Sequence, residues 1–285
     1  MEYSVFDAHC DTLCKLCDLG GSINKNSYDV DTERMQIYKK YTQVFACYIA
    51  PEYAACAYER YLQLIDTYNK NNINGILSIE GGEGINSLEA LNKLYTMGVR
   101  IVALTWNSTN HLAGGADDMY GGGLTDFGKK VLCEMDRLGI LADVSHLNDK
   151  SFYDLSEAWK RPIVATHSNS RKICNHRRNL TDDMFNIIKH SNGCVGINFY
   201  PLFLNESGRA GVDDIIHHIE HFMSLGGEDN IGIGADFDGT DCLPYDINGC
   251  GDIYKVFDRL LQLNYTEEQV EKISHKNFER IFTNV

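Results

Sequence analysis

Proline is scarce in this chain, at 4 of 285 residues, tryptophan occurs only twice, and no residue type forms a tract. With no Pro- or Ser-rich stretch there is no stiff linker or stalk, and a composition near the globular average excludes disorder and collagen. Long apolar runs are missing as well: no stretch approaches the roughly 18 uncharged apolar residues that a bilayer-spanning helix requires. Positive charge is short, 26 Lys+Arg against 40 Asp+Glu, for a net charge of −14. Such a surface repels phosphate backbones and anionic lipid, so neither nucleic acid nor membrane is expected as a partner. The opening MEYSVFDAHCDTL has no basic segment followed by an apolar one. No export signal is therefore read, and the ten cysteines are expected to stay reduced in the cytoplasm.

What is present is a regular alternation. The length suits two domains of about 150 residues or one α/β barrel of about 250. Eight short apolar runs read as buried strands: SVFDA from Ser4, QVFACYI from Gln43, NGILSIE from Asn74, RIVALTW from Arg100, GILADVS from Gly139, PIVATHS from Pro162, CVGINF from Cys194 and IGIGADF from Ile231. Between them, helical spacing recurs over 57–71, 88–97, 126–138, 182–190 and 212–225, with Thr125 and Thr181 as N-caps and Gly98, Gly139 and Gly226 as stops. Continuous rather than alternating apolar strands, each followed by a helix, predict a single (β/α)8 TIM barrel over 1–285. Helices over 253–263 and 267–282 are expected to close it and pack beneath. An open doubly wound sheet is the fallback.

In such a barrel the chemistry belongs at the C-terminal ends of the strands. Those ends carry His9 and Asp11, Glu80, His146, His167 and Asp236. Two residues apart on an extended segment, His9 and Asp11 point to one side, and Cys10 points away. Three imidazoles and three carboxylates around one mouth exceed what a single cation needs, which suggests two divalent metals and a bridging carboxylate. Nitrogen and carboxylate donors without thiolate favour zinc, with manganese, iron or cobalt as alternatives.

These segments resemble the membrane (renal-type) dipeptidases, zinc metallopeptidases of the amidohydrolase superfamily. The likeness runs through FDAHCDTL at Phe6, SIEGGEGI at Ser78, LYTMGVRIVALTWNSTN at Leu94, LADVSH at Leu141, ATHSNSRKICNHRRNLTDDM at Ala165, GINFYP at Gly196 and IGIGADFDG at Ile231. The resemblance implies that His9 and Asp11 bind one zinc, Glu80 bridges, and His146 and His167 bind the second. It further implies that Asp236 is the catalytic aspartate and that Arg178 holds the substrate's terminal carboxylate, with a metal-bridging hydroxide as nucleophile. Animal members carry a histidine after Leu-Thr, where this chain has Trp106 and then Asn107, as bacterial-type members have Trp. The expected substrate is a dipeptide, with a D-residue allowed at its C-terminal position, and Tyr200 is a candidate for the pocket wall. Oligomeric state is left open, a homodimer being one option. Competing readings are another amidohydrolase reaction, such as N-acyl amino acid deacylation or cyclic amide hydrolysis, and an inactive metal-binding barrel. H-x-D on the first strand favours the dipeptidase branch over the H-x-H of many superfamily members.

Other features weigh less. His217, Glu220 and His221 spell H-x-x-E-H, but mid-helix on the outside of the barrel. Cys14-x-x-Cys17 has no second pair at zinc-ribbon spacing. Gly81-Gly82 is expected to turn sharply after Glu80, the Gly-rich stretch 114–123 reads as a lid or a plain surface loop, and Asp143 as a partner of His146 or a strand-end carboxylate.

Overall fold

The computed structural model describes residues 2–282. Its eight strands are β1 (Ser4–Cys10), β2 (Lys40–Tyr48), β3 (Ile76–Glu80), β4 (Val99–Ala103), β5 (Leu141–Asp143), β6 (Val164–Ala165), β7 (Cys194–Ile197) and β8 (Ile231–Ile233). They close in sequence order into one barrel, all parallel, with β8 pairing β1 through Ile233 and Asp7. Each expected run holds a strand, though β6 keeps only two residues of PIVATHS.

The helices follow from the same local signals. Helix Asp126–Leu138 starts where the Thr125 side chain accepts the Gly128 N–H and stops at Gly139 in left-handed conformation. Helix Asp182–His190 is capped in the same way by Thr181, each cap contributing about 1 kcal/mol. The apolar faces of these helices and the outward side chains of the strands form one continuous layer. A second cluster fills the barrel's floor, where Phe6, Val44, Ile101, Leu141 and Val164 meet Phe278 and Ile281.

The C-terminal segment lies beneath the barrel as expected, but not as one regular α-helix. Glu267–Glu271 is α, Lys272–Lys276 is a π turn, and Asn277–Phe282 returns to α. The wider turn shifts the helix face by part of a turn, which seats Phe278 stacked on Phe6, centroids 5.3 Å apart, under Gly232. Burial of Phe278 contributes about 1.5–3 kcal/mol. Among the described residues, no helix is long and apolar enough to cross a membrane.

Candidate metal centre and active site

Because every strand runs the same way, its last residues gather at one mouth. His9 sits in β1 and Asp11 just after it, Glu80 ends β3, His146 and His167 follow β5 and β6, and Asp236 follows β8. All six are buried. Glu80 stands between the histidines: Oε2 lies 3.4 Å from His9 Nε2, while Oε1 lies 2.8 Å from His146 Nε2 and 3.4 Å from His167 Nε2. His9 Nε2 is also 3.4 Å from Asp11 Oδ2 and 3.9 Å from Asp236 Oδ1. Two overlapping donor groups result, His9–Glu80–His167 and His9–Asp11–Asp236. Cys10 packs into the surrounding apolar layer instead, where burial pushes its thiol well above its usual pKa.

Backbone geometry aims these groups at cost. His146 and Asp236 hold left-handed conformations, φ +70° and +63°, each costing a non-glycine residue on the order of 1–2 kcal/mol. Gly81 turns the chain after Glu80 at φ +90°, and a Cβ on Gly82 would strike Leu112 and the Leu104 carbonyl. A Cβ on Gly239 would strike the carboxylates of Asp11 and Asp236.

The donor chemistry fits divalent cations. His9 Nε2 and Asp11 Oδ1 are buried without a hydrogen-bond partner. The Nε2 atoms of His146 and His167 lie 2.8 Å apart, both facing Glu80, while an oxygen occupies each outer side: Asn107 Oδ1 at 2.7 Å from His146 Nδ1, Thr166 Oγ1 at 2.8 Å from His167 Nδ1. With Nδ1–H directed outward, the inner lone pairs converge, which a shared cation resolves. The electrostatics agree. Burial opposes protonation of His9, but Glu80 and Asp11 outweigh it and hold its pKa well above the ordinary value. Burial keeps His146, down to about 4, and His167 neutral. Burial among carboxylates lifts Asp236 to about 7, a value that nearby cations would draw back down.

A cavity of about 620 Å³ opens on this cluster, walled by Tyr48, Trp106, Asn107, Tyr200 and Phe203. Arg178 is set back from that wall and buried. Its Nη2 donates to the His167 carbonyl at 3.2 Å, its Nε has no partner, and its guanidinium carbon lies 5.6 Å from the Phe203 ring centroid. Sequence reasoning missed Asn198, whose Nδ2 donates to Asp236 Oδ2 at 2.9 Å, and Arg60, which reaches the cavity from the helix Ala57–Lys70 and pairs with Asp18 at 2.7 Å. Only the GINF run hinted at Asn198. Nothing in the sequence marked Arg60.

The lesser motifs fall outside the centre. His217 and Glu220 are exposed, and His221 pairs with Asp182 at 2.7 Å on the outer helix layer. Cys14 and Cys17 are free thiols, the second 3.4 Å from Arg60 Nη1. The 114–123 loop supplies no residue to the cavity wall. It is tied to the barrel by Ala116 N–H to the His146 carbonyl and by Asn148 Nδ2 to the Asp118 carbonyl.

A barrel with buried imidazoles and carboxylates converging at its C-terminal mouth defines a metal-dependent hydrolase architecture. Comparison with known proteins narrows the class. Residues 57–285 match the membrane dipeptidase family, peptidase family M19, and the chain belongs to it. An uncharacterized dipeptidase of Schizosaccharomyces pombe is 32% identical over 246 residues, a match that covers 80% of this chain and 58% of that relative. Among solved structures, a metallo peptidase from Rhodobacter sphaeroides, liganded with a phosphinate mimic of the dipeptide L-Ala-D-Ala, superposes with a TM-score of 0.89 at 25% identity, over 100% of this chain and 99% of its own. Dipeptidase AC, a metallo peptidase of family M19, gives 0.90 at 26% over the same shares.

Proposed function

We propose that this chain is a binuclear zinc dipeptidase of the cytoplasm that accepts a D-residue at the C-terminal position. The observation that carries the reading is the placement of Glu80, one carboxylate oxygen toward His9 and the other toward His146 and His167. His9 and Asp11 would hold one cation, His146 and His167 the other, and Glu80 both. When bound, the two cations polarise the scissile carbonyl and acidify the water that attacks it. The relative crystallised with an L-Ala-D-Ala mimic supports a dipeptide as substrate.

The chain's own groups supply the rest. Asn198 fixes Asp236 Oδ2 and leaves Oδ1 to take the proton of the attacking water and pass it to the leaving nitrogen. Arg178, anchored through Nη2 and with Nε unpartnered, receives the substrate's free carboxylate. Tyr48, Trp106, Tyr200 and Phe203 shield the reacting bond from bulk water. Asn107 steadies His146 through Nδ1 as well as facing the cavity.

The deciding experiment combines metal analysis with a panel of L-L dipeptides, L-D dipeptides and N-acyl amino acids. Hydrolysis of both dipeptide sets, lost on chelation and restored by Zn²⁺, is expected; full activity without metal would refute the reading, and a preference for N-acyl amino acids would move the chain to the deacylase reaction. Arg178→Lys keeps the charge but not the planar fork. It should raise KM by roughly 10²-fold, the loss of about 3 kcal/mol in charge-assisted hydrogen bonding, with kcat much less affected. An unchanged KM would reject the clamp.

A further inference from the structure

We propose that the Thr166 hydroxyl, polarised by Asp143, sets the tautomer of His167 and, more weakly, orients His9 through its Nδ1–H, so that one buried side-chain relay prepares ligands from two strands for metal. The metal side of this inference rests on the function proposed above; the tautomer side concerns the chain alone.

Asp143, the last residue of β5, is buried and does not reach His146. Its Oδ1 accepts two backbone N–H groups, from Ser145 at 2.9 Å and Thr166 at 3.0 Å. Its Oδ2 accepts the Thr166 hydroxyl at 2.5 Å. Asp143 is the acceptor in all three of these bonds, so the single hydroxyl proton of Thr166 is committed to it. Thr166 Oγ1 then offers only lone pairs to what lies on its other side. His167 Nδ1 stands there at 2.8 Å and His9 Nδ1 at 3.5 Å, the two rings 3.8 Å apart. A nitrogen facing a lone pair must carry the proton. His167 is thereby held as the Nδ1–H tautomer, with Nε2 free toward Glu80, and the His9 Nδ1–H points at the same oxygen from farther away.

Thr166 has little room to do otherwise. A Cβ on Gly196 or on Gly234 would strike its carbonyl oxygen, so the backbone of the next two strands closes on it. Its β-branched side chain has few rotamers to choose from. Asp143 ends β5 and Thr166 follows β6, its neighbour in the barrel, which places the aspartate behind the threonine and the threonine behind His167.

The relay has a polarity, and the polarity can be reversed. In Asp143→Asn the amide oxygen stays with the two backbone N–H groups, and the amide N–H₂ takes the place of Oδ2. It donates to Thr166, whose hydroxyl proton then turns to His167 Nδ1 and moves the ring proton to Nε2. Long-range ¹H–¹⁵N spectra of the metal-free protein at pH 8 should report Nδ1–H for His167 in wild type and in Thr166→Ser, a mixture in Thr166→Val, and Nε2–H in Asp143→Asn. Zn²⁺ affinity by chelator competition should fall about 10- to 100-fold in Thr166→Val and Asp143→Asn, the usual loss for an outer partner of a metal ligand, and recover to within a few-fold in Thr166→Ser. Thermal unfolding of each variant checks that the barrel is intact. An unchanged His167 tautomer in Asp143→Asn would overturn the relay even if its Zn²⁺ affinity fell. If wild type binds no divalent cation, the proposed function fails and the spectra still decide the relay.

Discussion

Asp236→Asn should lower kcat for a dipeptide by about 10²- to 10⁴-fold, the range general acid–base catalysis supplies, while the protein still binds its metal. The substitution is nearly isosteric. Asparagine tolerates the left-handed conformation that position 236 adopts at φ +63°, so the turn survives. Asn198 Nδ2 can still donate to the amide oxygen, leaving the amide N–H₂ where Oδ1 faced His9. What is lost is the ability to accept a proton at that atom. Metal content by elemental analysis and kcat measured on one preparation separate the two roles. A normal rate would remove Asp236 from the proton path, and loss of metal together with rate would make it a ligand instead.

The cluster at the mouth was open to sequence reasoning because a parallel barrel reduces three dimensions to one rule: whatever ends a strand meets whatever ends the others. His9, Glu80 and His167 lie far apart in the chain, yet each closes or follows an apolar run. Two-residue periodicity sent Asp11 to the side of His9 and Cys10 into the apolar layer. The orienting groups were hidden for the opposite reason. Asn198 and Thr166 act through side-chain hydrogen bonds deep in the interior, and a polar residue at a strand end has no pattern that tells such a partner from a solvated one. Arg178 shows the boundary between the two cases. Its identity came from a resemblance, whereas its setback from the cavity wall depends on loop conformation, which no periodicity encodes. The π turn at Lys272–Lys276 is similar: helical spacing predicts the helix but not the wider turn that seats Phe278 under the barrel.

Zn²⁺ should raise the melting temperature of wild type by on the order of 10 °C at about a thousand times Kd, and Glu80→Gln should cut that increment to a few degrees. A ligand bound only by the folded state adds about 4 kcal/mol at that concentration, and about 1 kcal/mol moves the midpoint of a chain of this size by roughly 2–4 °C. Glutamine offers one acceptor oxygen where the carboxylate offers two, so it cannot serve His9 on one side and the His146–His167 pair on the other. Its amide N–H₂ instead faces an imidazole that should be receiving a cation. Both sites therefore weaken together, and metal stoichiometry falls with the thermal increment. Protons compete for the same donors. Because Glu80 and Asp11 outweigh burial and hold the His9 pKa well above its ordinary value in the metal-free protein, Zn²⁺ must displace a proton there even near neutrality, and the increment should shrink as pH is lowered. Thermal shift against Zn²⁺ concentration at two pH values measures both effects. An increment in Glu80→Gln equal to wild type would show that the cations do not share this carboxylate, and a pH-independent increment would show that His9 is not among their donors.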